Sequence, residues 1–213
     1  GSVHGLGTTT NDSSRITADF SANFPAIGVP SPTTSYTITS ASVPTDFPRL
    51  GDFANPADGK YYYNFSAGLG ISATTTIGTA VPNKNVVILM TNHSGSNAIR
   101  FVGTRSLTIK TGSTLTLYTN GDIDTHGNGM VNGTTAGANQ AASLVIYGTA
   151  TTPGGQSITV GGNGQLYAAI YAPNASLTLQ GGGASGMVLG SVVADTISMN
   201  GGTDFHYDEA LAN

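Results

Sequence analysis

The stretch "SLTLQGGGASGMVLGSVVADTISMNGG", Ser176 to Gly202, says nearly the same thing twice: a run alternating polar and apolar residues, then glycines, at 176–183 and again at 196–202. Adding "SITVGGNG" from Ser157 puts Ile158, Leu177 and Ile197 in one column, 19 and 20 residues apart. Val160, Leu179 and Met199 make a second column, and the glycine pairs at 161–162, 181–182 and 201–202 a third. Alternation with period two marks a strand with one buried face. A repeat of about 20 residues holding more than one such strand is one turn of a solenoid, each turn pairing with the next at ~4.8 Å.

Between the columns lie "QLYAAIYAP" at 165–173 and "GMVLGSVVA" at 186–194. They are continuously apolar and rich in small residues, as expected of strands crowded on both faces. Glycine at the corners permits the sharp bends between walls. The expectation is an all-β chain folded as a right-handed parallel β-helix with coils of about 20 residues, the hand following from the rule for parallel crossovers. An antiparallel sandwich is the rival fold, and it has no reason to repeat at this spacing.

Upstream the same alternation continues. Leu107 and Ile109, Leu115 and Leu117, and Leu144 and Ile146 occupy alternate positions and belong to the core. Before residue 60 the texture changes: six of the nine prolines stand there, and apolar stretches are brief. Residues 1–60 therefore read as an irregular Pro/Ser/Thr-rich segment packing on the solenoid, and residues 61–213 as the β-helix with a C-terminal cap.

Composition narrows the function. Charged residues make up 8% of the 213, and Glu209 is the sole glutamate, so long charge-laced surface helices are not the building material. The seven Lys and Arg are scattered singly against a net charge of −4, so no basic stripe faces a nucleic acid. Cysteine is absent, which removes thiolate chemistry and disulfides alike. Apolar runs such as Val86 to Met90 are far below the ~20 residues of a membrane helix. The opening Gly1-Ser2 fits a tag remnant, so an exported chain whose leader or anchor lies outside this sequence is expected.

The most site-like stretch is "NGDIDTHGNG", where Asp122, Asp124 and His126 alternate and so point to one side of a strand. Two carboxylates and an imidazole can hold a hard cation such as Ca2+, with Asn120 or Asn128 adding oxygens; the plainer reading is a set of solvated turn residues at a corner. "FHYDEAL" gathers His206, Asp208 and Glu209, and as a last strand it serves better as an end cap than as an acid–base site. From residue 84 on, acids are confined to Asp122, Asp124, Asp195, Asp204, Asp208 and Glu209, and no Lys or Arg follows Lys110. Paired carboxylates for glycosidic cleavage are thus not evident, and no catalytic residue is assigned. Ser157, Thr159, Ser176, Thr178, Thr196 and Ser198 flank the inward columns and would present an outward array of hydroxyls suited to ice or a polysaccharide. Tyr61 to Tyr63, Tyr147, Tyr167 and Tyr171 supply aromatics for sugar stacking, several of them required by the core.

At "GQLYAAIYAPNASLTLQGGG", "GSVVADTISMNGG" and the terminal "FHYDEAL", the chain resembles the C-terminal domain of PilX-type pilus assembly proteins and related bacterial pilin-like surface proteins. "STLTLYTNGDIDTHGNGMVNG" and "SLVIYGT" look like preceding coils, so the resemblance covers about residues 84–211. It implies a non-catalytic, exported β-helical module of the cell surface, pilus or periplasm, attached to the membrane only through an N-terminal helix that this sequence lacks. Its partners would be pilus subunits or an extracellular surface ligand such as a glycan. Carbohydrate binding or cleavage is the alternative function, and ice binding a third.

Overall fold

The computed structural model describes residues 24–39, 43–66, 70–101, 103–126, 129–132, 140–161, 165–181, 187–208 and 211. Among these the chain is all-β, with a short 3-10 turn at Ala141–Ser143 and no α-helix. The strands in chain order are β1 (Tyr36–Ile38), β2 (Asp46–Phe47), β3 (Tyr61–Phe65), β4 (Thr75–Ile77) and β5 (Asn85–Met90). Then come β6 (Asn97–Phe101), β7 (Leu107–Ile109), β8 (Thr114–Thr119), β9 (Asp122–Thr125) and β10 (Met130–Asn132). The last are β11 (Leu144–Gly148), β12 (Gln156–Val160), β13 (Gln165–Gly181), β14 (Met187–Gly201) and β15 (Asp204–Tyr207).

Each strand pairs in parallel with a strand one turn of chain away. The larger sheet has 11 strands and runs β1-β3-β5-β8-β11-β13-β12-β9-β6, with β14 and β15 continuing from β13. Strand β13 joins its two strips: Ala169–Tyr171 lie beside β11, and Ala175–Leu179 lie beside β12. The sheet therefore curls like a half-barrel, solenoid-like, around the core. A second sheet, β10-β7-β4-β2, makes a third strip. The Asn132 amide links β10 to the start of β13 by donating to the Tyr167 carbonyl at 2.7 Å.

The predicted columns are the observed register. Ile158 pairs with Leu177 and Leu177 with Ile197, while Val160, Leu179 and Met199 line up beside them. The 20-residue period holds only at this end. Partners upstream are 25 residues apart from Tyr63 to Ile88, 29 from Ile88 to Leu117 and 29 from Leu117 to Ile146. The difference lies in the corners, which are long loops upstream and shrink to bends within the single strands β13 and β14. Two strands also arise inside the Pro-rich segment: β1 pairs with β3 and β2 with β4.

One continuous apolar cluster runs through the curl, from Ile38, Phe47 and Tyr63 to Leu177, Leu179 and Val188. Each alternate residue of β7, β8 and β11 named from the sequence is buried: Leu107, Ile109, Leu115, Leu117, Leu144 and Ile146. Strand β5 is buried on both faces, because Val87 and Leu89 join Tyr62 in a second cluster on the outside. Corner amides are tied inward. The Gln156 amide, itself buried, donates to the carbonyls of Thr119 at 3.1 Å and Gly121 at 2.7 Å, bridging two turns where the chain changes strip.

Two ends differ. At the N-terminal end the guanidinium of Arg49 pairs with Asp52 at 2.9 Å and lies over the rings of Tyr36 and Tyr63. The buried Tyr63 hydroxyl donates to Asp52 at 2.6 Å, and burial followed by this carboxylate pushes its pKa well above the tyrosine range. At the C-terminal end β15 pairs with Met187–Gly190 and so closes the third strip alone. Ile197 and Met199, on the last strand of the second strip, stay 51% and 49% exposed.

Gly190 is the glycine the packing most requires. Its φ is +149°, and a Cβ there would collide with the Ala168 carbonyl of the strand beneath. Gly190→Ala is expected to destabilise the protein by about 3 kcal/mol or more, because the obstacle is backbone and cannot swing away, against about 0.5 kcal/mol for Ser157→Ala on the surface. Urea unfolding of the two variants checks the contrast.

His93, at the corner after β5, is 1% exposed, and neither ring nitrogen makes a hydrogen bond. Burial lowers its pKa below the usual imidazole value, with the Met90 backbone opposing from outside hydrogen-bond geometry. Above about pH 6.5 the ring is neutral whether the chain is folded or not, and it contributes no pH dependence. As the pH falls below that value the unfolded chain takes up the proton first, and stability drops. His93→Asn is expected to flatten the decline of Tm between pH 6.5 and 5, which a pH series of thermal melts measures.

Candidate functional site

The outward residues of the second strip are set by the same register as the core. Between the buried columns, Ser157, Ser176 and Thr196 form one outward ladder and Thr159, Thr178 and Ser198 another. Ser157, Thr196 and Ser198 are exposed, and the other three are half-buried. Hydroxyls thus repeat at ~4.8 Å from strand to strand and at ~6.6 Å along each strand. The sequence placed all six on one face, and the structure brings them together there.

The ladders continue upstream into charge. Asp124 stands in the column of Thr159, and Arg100 in that of Asp124. Arg100 Nε lies 3.9 Å from one Asp124 oxygen, and the other oxygen bonds to His126 Nδ1. The His126 ring packs over Gly161, whose missing Cβ leaves it room. Asp122 turns aside and accepts the Ser157 backbone N–H at 2.7 Å. Asn120, the expected helper, accepts the His93 backbone N–H at 2.9 Å. Asn128 lies outside the described residues.

Asp124 and His126 are therefore brought together, while Asp122 is engaged by the neighbouring turn. Among the described residues no group of three or more His, Cys, Asp or Glu is arranged to hold a metal ion. An arginine beside Asp124 already neutralises the carboxylate a cation would use, though an exposed pair of this kind contributes little to stability.

A second surface escaped the sequence reading in part. On the outer face of the first strip Tyr118 stacks on Tyr147 at 4.8 Å between centroids, and Tyr147 meets Tyr171 edge-on at 6.5 Å. Phe24 extends the row, edge-on to Tyr171 at 6.3 Å. Burial first, and Tyr147 second, push the Tyr118 hydroxyl above its usual pKa. The signal for this column was in the chain: Tyr118 follows "LTL", Tyr147 follows "LVI" and Tyr171 follows "AAI", always one residue after the buried position. Of the other tyrosines considered for stacking, Tyr61 and Tyr63 belong to the core and Tyr62 to the smaller cluster with Val87 and Leu89.

Of the terminal cluster, His206 is exposed on β15, the Asp208 backbone N–H donates to the Gly190 carbonyl at 3.1 Å, and Glu209 lies outside the described residues. The model of one protein family, described as a domain of unknown function (DUF7305), matches residues 41–213. No curated protein and no solved structure matches the chain.

With Asp122 and Asp124 engaged as described, millimolar Ca2+ is expected to leave Tm unchanged. A rise that scales with calcium and vanishes in Asp124→Asn would instead establish a cation site, since a ligand of the folded state alone must stabilise it.

Proposed function

We propose, from the premise that the chain belongs to the DUF7305 family, that it is a non-catalytic right-handed parallel β-helix serving as an exported module of the bacterial cell surface. The three strips are its walls, and the module associates with pili or similar assemblies as a rigid spacer and adhesive surface. The observation that carries this reading is the unbroken outward register of Ser157, Ser176 and Thr196 and of Thr159, Thr178 and Ser198. A wall built of short hydroxylated side chains on a hydrogen-bonded ladder is flat and loses little side-chain entropy on contact. Such a wall suits docking against a neighbouring subunit or a repetitive external ligand.

The scarcity of charge fits the same role. Titratable groups on the outer wall are few, and Asp124, the central one, is paired with Arg100 and His126. Shearing pili from cells that carry the native gene is expected to release this protein with the pilus fraction. Recovery solely as free secreted protein would overturn the pilus association.

A second reading rests on the tyrosine column. Tyr118, Tyr147 and Tyr171 expose partly buried rings in sequence along one wall, and rings so fixed stack against the apolar faces of sugars. Retention on immobilised polysaccharide that falls at least tenfold, ~1.4 kcal/mol, in Tyr147→Ala would support a glycan ligand. Equal retention of both proteins would remove it.

A further inference from the structure

The lysines of the chain are Lys60, Lys84 and Lys110, 24 and 26 residues apart. The fold brings them to one corner, where the third strip gives way to the first. Lys60 and Lys84 stand immediately before β3 and β5, strands of the first strip that pair Tyr61 with Val86. Lys110 directly follows β7 and opens the same corner in the next turn. Ser113 ties the last two together: its hydroxyl accepts the Lys84 backbone N–H at 3.3 Å, and its own backbone N–H donates to the Lys110 carbonyl at 3.0 Å. Residues scattered singly along the sequence thus form a file along the stack, with turns ~4.8 Å apart.

Opposite charge does not fill this corner. Lys60 has Asp58 at 4.0 Å, but among the described residues no carboxylate lies within ion-pair distance of Lys84 or Lys110. Asp46, in the turn below, is taken up by the Thr76 hydroxyl and the backbone N–H groups of Thr79 and Ala80. Arg49 and Arg100, by contrast, face Asp52 and Asp124.

Beside Lys110 is a groove of about 410 Å³, within the ~300–1,000 Å³ of small-ligand clefts. Two turns line it: Lys110, Thr111, Ser113 and Thr114 come from one, and Gln140 and Ser143 from the next. Thr111 and Gln140 are exposed, and Lys84 and Lys110 are half-buried. Neither a carboxylate nor an aromatic ring lines the groove.

We propose that this corner binds a uronic-acid polysaccharide, with Lys84 and Lys110 contacting its carboxylates and the groove of hydroxyls and amide holding the sugar beside them. A groove without a ring gives a nucleobase nothing to stack on. Ammonium groups on separate turns match carboxylates spaced along a chain, whereas a net charge of −4 opposes the many phosphate contacts that nucleic acids require. The site is distinct from the tyrosine column. It rests on the reading as a surface module only for where the ligand is met.

Calorimetric titration of the purified protein with polygalacturonate is expected to show binding that weakens as salt is raised. Methyl-esterified polygalacturonate, which keeps the sugar and loses the charge, is expected not to bind. The Lys84→Gln, Lys110→Gln double variant should bind roughly tenfold more weakly or worse. Lys84→Arg with Lys110→Arg should retain binding, as should Arg105→Gln, which removes a charge at the corner between the second and third strips. No binding of polygalacturonate, equal binding of the ester or of single-stranded DNA, unchanged affinity in the double variant, or an equal loss in Arg105→Gln would each overturn the proposal. Because the titration uses the protein alone, binding by a protein absent from the pilus fraction would support this site while overturning the pilus association.

Discussion

Parallel, in-register pairing of successive turns is the constraint on which everything else in this protein depends. Once Ile158 lies on Leu177 and Leu177 on Ile197, every other residue of those strands is assigned both a face and a neighbour. A slip by one residue would turn the whole apolar column to solvent, so the core enforces the register at every turn. The outer face inherits it without contributing to it. Six hydroxyls stand in two files because the leucines and isoleucines between them do.

The same constraint makes like stack on like. Tyr118, Tyr147 and Tyr171 follow one another on the first strip, where ring stacking adds about 0.5–1.5 kcal/mol per pair beyond the area buried. Stacking like on like is dangerous for charge, and the chain keeps ionisable groups out of the columns almost everywhere. Where it admits them, opposite signs are placed in adjacent turns, as with Arg100 and Asp124. Buried amides at the corners use the repeat differently. Gln156 and Asn132 reach across turns to backbone carbonyls that the strand ladders leave free where the chain bends.

Among the described residues the curled, solenoid-like sheet has two ends, and they are treated unequally. One is closed by Arg49 and Asp52, both half-buried, hydrogen-bonded to each other and to the buried Tyr63. At the other, β15 extends only one strip, and Ile197 and Met199, which continue the inward columns on the last strand of the second strip, are left half exposed.

The amino-acid sequence alone determined that the chain is all-β, which residues face inward, and the pairing of the last turns. Those properties follow from period-two alternation and from a repeat short enough to read, so the hydroxyl files were legible as well. It did not determine the spacing upstream, because loops of different lengths break the repeat while leaving the pairing intact. Nor did it place Asp122, whose alternation with Asp124 and His126 was legible but whose carboxylate is taken by the Ser157 N–H one turn away. Arg100 beside Asp124, Tyr118 on Tyr147 and the unpaired edge at Thr196–Gly201 were likewise settled by the tertiary structure. Each is a contact between turns separated by 24 or more residues, or an edge along which no further strand lies among the described residues, and the local pattern carries no information about which turn lies above which.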